Sequence, residues 1–291
     1  MQTRALGPDA PAVSAVGFGG MPLSLPGHPD EAEAIRVLHA ALDAGMTLVD
    51  TADVYCAGES EIGHNERLVA KALRAWGGHR EGITVATKGG ITRPEGRWEQ
   101  DGRPEHLRRA CEASLKALGT DCIALYQFHR PDENVPFAES VGALADLRRE
   151  GKISRVGLSN VTVDQIRTAS AIVPVTTVQN RLNPFFREAL ETGVLAHCTR
   201  EGIGFLAYSP VGGGRLNLKL PTMDALRPIA EAHGASPHAV VLAWVLAQGP
   251  TVFLIPGART VEHALDSVRA ASLALSPGEI AVIDAAEFSR A

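Results

Sequence analysis

Met46-Thr-Leu-Val-Asp50-Thr-Ala-Asp-Val-Tyr55 opens as a short apolar run, β-branched in part, and closes on a carboxylate with a phenol five residues on. Such a run reads as a buried strand whose carboxyl end carries polar groups. Two further runs end the same way. Ile83-Thr-Val-Ala-Thr-Lys88 stops at a lysine before Gly89-Gly90, and Ile123-Ala-Leu-Tyr-Gln-Phe-His129 stops at a histidine before Arg130-Pro131. If these strands lie parallel and adjacent, Asp50, Tyr55, Lys88 and His129 converge in one pocket.

Outward from this stretch the pattern repeats. Strand-like runs fall at 15–19, 46–50, 83–88, 123–129, 153–159, 175–179, 203–208 and 252–255. Stretches with apolar residues at helical spacing separate them, at about 30–44, 62–76, 105–118, 136–150, 162–171, 186–201, 223–233 and 237–247, with two more at 260–271 and 277–287. Glycine repeatedly closes a helix before the next strand. Residues 1–14 read as a short hairpin or lead-in, and 89–103 as a polar loop. Eight alternating units predict a parallel sheet closed into a (β/α)8 TIM barrel, one domain over 1–291. An open doubly wound sheet is the weaker alternative, because no first strand opens into a G-x-G-x-x-G turn. In such a barrel the active site lies at the carboxyl ends of the strands, where Asp50, Lys88 and His129 fall.

Composition agrees. The 291 residues are 45 % hydrophobic and 21 % charged, enough for a large core. A net charge of −5 argues against nucleic acid or an anionic membrane as partner. The apolar runs are far shorter than the ~20 residues of a membrane span. No signal peptide is expected, and Cys56, Cys111, Cys122 and Cys198 lack paired spacing, which fits reduced thiols in a cytoplasmic protein rather than a disulfide framework or zinc site. The sequence fits a monomer or a homo-oligomer alike.

Several motifs occur in one order: Asp50-Thr-Ala-Asp-Val-Tyr55, Thr87-Lys88, Leu125-Tyr126 with His129, Gly157-Leu-Ser-Asn160, Val178-Gln-Asn180, Ala207-Tyr-Ser-Pro210 and Ile255-Pro-Gly-Ala-Arg259. Together they resemble the aldo-keto reductase family, over about residues 13–285. The resemblance implies a (β/α)8 barrel that reduces small-molecule carbonyl compounds with a nicotinamide cofactor and no metal.

The residue chemistry points the same way. Carbonyl reduction needs hydride at carbon and a proton for the developing alkoxide. A tyrosine of pKa about 10 is a sluggish acid at neutral pH, and a cation against its hydroxyl is expected to lower that value. Lys88 supplies the cation, Asp50 keeps it charged, and His129 donates a hydrogen bond that orients the carbonyl oxygen. Taken singly, each residue has a plainer reading: a turn or cap aspartate, a packing tyrosine, a solvated lysine, a turn histidine.

For the cofactor, Ser159, Asn160 and Gln179 offer hydroxyl and amide groups to a nicotinamide carboxamide, and Tyr208 offers a face for stacking. Gly20 and Met21 after the first strand, and Ser209, Pro210, Val211, Gly212 and Gly213 after the seventh, are further candidates, the glycines letting backbone N–H groups approach a pyrophosphate. Ile255, Gly257, Ala258 and Arg259 precede a helix N-terminus, where anions are favoured. Arg259 could pair with a 2′-phosphate, which argues for NADPH over NADH. In the family the following helix commonly carries Arg or Gln, then Glu-Asn; here His263, Asp266 and Ser267 stand in those places, which leaves NADH open. Beside Met21, Tyr55 and His129, Leu23, Trp98, Phe128 and Phe185 are expected to wall the substrate pocket. Readings that compete with an NADPH-dependent carbonyl reductase are an NAD-dependent alcohol or sugar dehydrogenase, a cofactor-binding regulatory subunit, and a metal-dependent barrel hydrolase, the last lacking histidines clustered at strand ends.

Overall fold

The computed structural model describes residues 1–290. Its strands pair in parallel in chain order: β1 (Phe18–Gly19), β2 (Leu48–Asp50), β3 (Thr84–Gly89), β4 (Leu125–Phe128), β5 (Val156–Ser159), β6 (Val175–Arg181), β7 (Gly204–Tyr208) and β8 (Val252–Leu254). Bridges between Val16 and Leu254 and between Gly19 and Gly257 join the last strand to the first. The expected (β/α)8 barrel is therefore closed, with every strand within two or three residues of its expected bounds.

Helices cover the outside: α1 (Glu31–Asp43), α2 (His64–Ala75), α3 (Pro104–Leu118), α4 (Phe137–Arg149), α5 (Val163–Ser170), α6 (Val194–Glu201), α7 (Arg227–His233), α8 (Pro237–Ala247), α9 (Val261–Arg269) and α10 (Pro277–Ala285). Their starts are chemically marked. Asp30 accepts from the Glu33 N–H at the head of α1, and Thr162 forms a capping box with Gln165 at the head of α5. Helix α8 is apolar all round, and Ala239 to Leu246 are all buried, so it packs on every side.

Three expectations change. The single helix over 186–201 is two pieces, Glu188–Glu191 and α6, because Gly193 takes φ 75°, a left-handed conformation that interrupts the helix. The loop 89–103 contains a small antiparallel hairpin pairing Ile91 with Gln100 and Thr92 with Glu99. The segment after β7 contains a 3-10 helix, Asn217–Thr222.

Alternation along each strand divides the core. Tyr126, Phe128, Val156, Leu158 and Val178 face the helices and are fully buried. Leu48, Ala86, Leu125, Leu206 and Phe253 fill the barrel, with Leu6 and Val13 from the N-terminal hairpin (Thr3–Ala5 with Ala12–Ser14) closing its amino end. Above this apolar floor the inward positions turn polar: Asp50, Lys88, Gln127, Ser159 and Gln179.

Candidate active site

Lys88 is completely buried at the end of β3. Its ammonium donates to Asp50 Oδ1 (2.5 Å), to the Thr51 carbonyl (2.9 Å) and to the Tyr55 hydroxyl (3.0 Å), so all three protons are used. The other Asp50 oxygen accepts from Gln127 Nε2 (3.0 Å) and Gln179 Nε2 (2.8 Å). The carboxylate is thus held from two sides. Burial works against the lysine's charge, but Asp50 and Tyr55 outweigh it, and the Lys88 pKa stands above its ordinary value.

For Tyr55 the balance runs the other way. Burial pushes the hydroxyl pKa up, Lys88 pulls it back, and the net direction is upward. The expected lowering by Lys88 is a real opposing effect, but desolvation exceeds it. Tyr55 is therefore held as a protonated donor at neutral pH, with a cation in place to receive the charge its ionisation would create.

Two rings close around that hydroxyl. The His129 ring lies edge-on to Tyr55 at 5.9 Å, and Trp98, 44 % exposed on the hairpin tip, lies 6.4 Å from each. Burial, reinforced by Lys88 and Arg130, holds the His129 pKa well below its ordinary value. Its imidazole is neutral at pH 7, with one N–H to donate.

Of the cofactor candidates, Asn160 adjoins this cluster through the His129 carbonyl. Asn160 and Ser209 adopt φ of 58° and 48° at the ends of β5 and β7, a left-handed backbone uncommon outside glycine that asparagine adopts more readily than most. The Tyr208 hydroxyl donates to Asn160 Oδ1 (2.7 Å), and Asn160 Nδ2 reaches the His129 carbonyl (3.1 Å) and Ser159 Oγ (3.0 Å). A cleft of about 540 Å³ opens between Asn160, Arg181, Phe186 and Tyr208. Gly212, Gly213 and Gly214 have φ of 93°, 66° and 46°. Gly20 is buried, its N–H on the Asp50 carbonyl (2.7 Å), beside the exposed Met21. Pro210, Ile255 and Ala258 are buried, whereas Val211 is half-buried and Gly257 and Arg259 are exposed, Arg259 with one contact to the Pro26 carbonyl (3.3 Å). A larger cleft, about 760 Å³, lies at the amino end near Asp9 and Thr176, far from these groups.

Several expected positions point elsewhere. Phe128 follows the outward phase of β4 and stacks on Phe137 of α4 (6.1 Å, 29°), so it is not a pocket wall. Leu23 is 1 % exposed within the core beneath the helices. Phe185 is buried edge-on against Phe288 of the C-terminal segment (5.1 Å). Asp266 accepts from Ser236 Oγ, the cap of α8, and Ser267 donates to the His263 carbonyl within its own helix. Of those three, only His263 presents an exposed side chain. Gln179 directs its amide N–H groups into the barrel, onto Asp50 and Gln127 (3.2 Å), and so supports the carboxylate.

A strand-end lysine thus bridges a buried aspartate and a tyrosine inside a closed eight-stranded barrel. The Aldo/keto reductase family profile matches residues 15–287. The chain belongs to the aldo-keto reductase family. An aldo-keto reductase of Strobilurus tenacellus is 34 % identical, over 97 % of this chain and 91 % of its own length. The glycerol dehydrogenase of Gluconobacter oxydans superposes with a TM-score of 0.82 at 29 % identity, over 94 % of this chain and 91 % of that one. A Klebsiella pneumoniae aldo-keto reductase, solved in complex with NADPH, gives 0.80 at 28 % identity, over 98 % and 95 %. As a member of this family the chain is an oxidoreductase of the nicotinamide-dependent, carbonyl- and alcohol-directed kind. Among its described residues no helix is long and apolar enough to cross a membrane.

In this aldo-keto reductase, two supporting residues escape the sequence reading. Gln127 was accessible: it sits two residues before His129, in the same inward phase. Asn65 was not, for it lies on α2 and accepts from Thr51 Oγ1 (2.6 Å) while donating to the Gly20 carbonyl (2.8 Å). Only the folded chain brings those partners together.

Proposed function

We propose that this protein is an NADPH-dependent carbonyl reductase in which Tyr55 is the general acid. The observation that carries the reading is the Lys88 ammonium bonded at once to Asp50 and to the Tyr55 hydroxyl. NADPH, when bound, supplies hydride to the carbonyl carbon. The hydroxyl of Tyr55 then gives its proton to the oxygen that becomes an alkoxide. Lys88 stabilises the phenolate left behind, and Asp50, with both oxygens engaged, keeps Lys88 protonated and fixed. Neutral His129 donates to the substrate oxygen and orients it. Trp98, exposed and in ring contact with both, favours flat, apolar carbonyl compounds such as aromatic aldehydes.

The residues at the barrel mouth fit the cofactor. Tyr208 is a partly exposed ring fixed through Asn160, and Ser159 and Asn160 supply polar groups beside it. The glycines at 212–214 leave backbone accessible to a pyrophosphate, and the exposed guanidinium of Arg259 suits a 2′-phosphate. The Klebsiella relative in complex with NADPH supports the same choice.

A second reading, alcohol oxidation with NAD, is favoured by one observation: Asp266 and Ser267 are engaged inside the fold and leave the adenine side with fewer free contacts. The glycerol dehydrogenase among the similar structures fits that direction. The test is a side-by-side titration of NADPH and NADH, followed by turnover of benzaldehyde and of glycerol. Tight NADPH binding with aldehyde reduction supports the first reading. Tighter NADH binding with glycerol oxidation supports the second, and no binding of either overturns both.

A further inference from the structure

Arg93 stands at the entrance to the hairpin that carries Trp98 and is 4 % exposed. Its five N–H groups all reach backbone carbonyls. Nη1 donates to Val54 (3.1 Å) and Cys56 (2.8 Å), Nη2 to Ala57 (3.4 Å) and Gly96 (2.9 Å), and Nε to Gly96 (3.2 Å). The guanidinium carbon also lies 4.2 Å from the centre of the Trp98 ring.

Those acceptors matter by position. Val54 and Cys56 flank Tyr55 on either side, in a stretch with no regular secondary structure. Gly96 belongs to the turn that leads into Trp98. One planar fork therefore grips the backbone on both sides of Tyr55 and the turn before Trp98, while its face supports the indole. Lys88 anchors the start of the same stretch at the Thr51 carbonyl. Between these two cations the loop has anchors at both ends.

We propose that Arg93 is a positioning residue that sets both the aim of Tyr55 and the stance of Trp98, and so couples proton donation to substrate selection. This rests on the reading of Tyr55 as the general acid. A lysine cannot replace the arginine, since one ammonium has three donors around a point and no flat face to lie under an indole. The chief groups acting on the Tyr55 hydroxyl pKa are burial, Lys88 and Asp50, so Arg93 works through geometry.

The test compares wild type with R93M, R93K and W98F, using benzaldehyde and propanal. R93M is expected to lower kcat about a hundredfold, the scale of a misplacement near 1 Å, and to raise KM for benzaldehyde more than for propanal. W98F is expected to reproduce the KM effect without the loss in kcat, and R93M/W98F to show no further rise in KM. The pH midpoint of kcat is expected to stay within about 0.3 units of wild type in R93M. Full rescue by R93K, a midpoint moved by a unit, or unchanged kinetics overturns the proposal.

Amide hydrogen exchange separates this from failure of the Tyr55 reading or of folding. In R93K and R93M, exchange is expected to quicken at 52–58 and 95–99 while β3 and α2 stay protected. Uniformly faster exchange across the barrel means a general structural role and overturns the proposal, as does unchanged exchange at 52–58. If wild type reduces no carbonyl, the Tyr55 reading fails by itself, and the exchange result still decides whether Arg93 holds the two loops.

Discussion

The Lys88 ammonium lies 3.0 Å from the Tyr55 hydroxyl and, at the same time, 4.8 Å from the centre of the Tyr55 ring. The cation therefore meets the phenol at its oxygen, beside the ring rather than over its centre. That contact offsets part of the burial that would otherwise make the hydroxyl a still weaker acid.

Replacing Tyr55 with Phe removes the proton and little volume. Turnover of aldehydes is expected to fall by about two to four orders of magnitude, the usual size of a general acid's contribution. Cofactor affinity, read by tryptophan quenching, should stay within about twofold. Turnover near wild type would sink the role assigned to Tyr55.

Asp50→Asn leaves Lys88 buried without its counter-ion. Breaking a buried pair in this way costs about 3–5 kcal/mol. Urea denaturation of the variant should show that loss, with activity falling alongside. A midpoint equal to wild type would mean that Lys88 is neutral or has found another anion.

His129 gives a pH dependence of definite sign. Its folded pKa lies well below the unfolded value of about 6.5, because burial opposes the charge. The unfolded chain thus takes up a proton that the folded chain refuses. The stabilisation is complete above pH 6.5 and declines as pH falls below it, by up to about 1.4 kcal/mol per pH unit. Between pH 7 and 5, stability should fall less steeply in His129→Gln than in wild type. Equal slopes would mean that His129 takes up its proton in the fold as readily as in the unfolded chain.

Arg259→Ala should weaken NADPH at least tenfold and NADH by less than about twofold, if the guanidinium meets a 2′-phosphate. Paired isothermal titrations measure both. Equal weakening of the two cofactors would refute that contact.

The barrel was legible because most strands are short β-branched or apolar runs ending in a polar group or glycine, and helices such as α1, α2 and α9 have a clear period. The hairpin at 91–100 was not, since strands of two residues have no period to detect. Gly193 sits inside an apolar pattern that continues on both sides, so the break depends on its left-handed φ rather than on composition. Within the site, Asp50, Lys88 and His129 were readable as strand ends. A pocket place for Phe128 runs against its own phase: once His129 faces inward, its neighbour must face the helices. The engagement of Asp266 is hidden from the sequence for another reason. Its partner, Ser236, caps a helix thirty residues earlier, a contact that no local pattern announces.

The N-terminal hairpin sets a condition on chemistry it never touches. Leu6 and Val13 cork the barrel from below, seated so closely that a methyl group on Gly204 would meet the Leu6 carbonyl at 2.0 Å and one on Gly7 the Thr176 carbonyl at 2.2 Å. The side chains of Leu48, Ala86, Leu125, Leu206 and Phe253 lie between that cork and the Asp50–Lys88 pair. The dryness of the ion pair, and with it the low dielectric in which Lys88 acts on Tyr55, is maintained from the opposite end of the molecule. Loosening the cork would let water reach the pair from beneath and weaken the field that tunes the tyrosine, with every residue around the hydroxyl left in place.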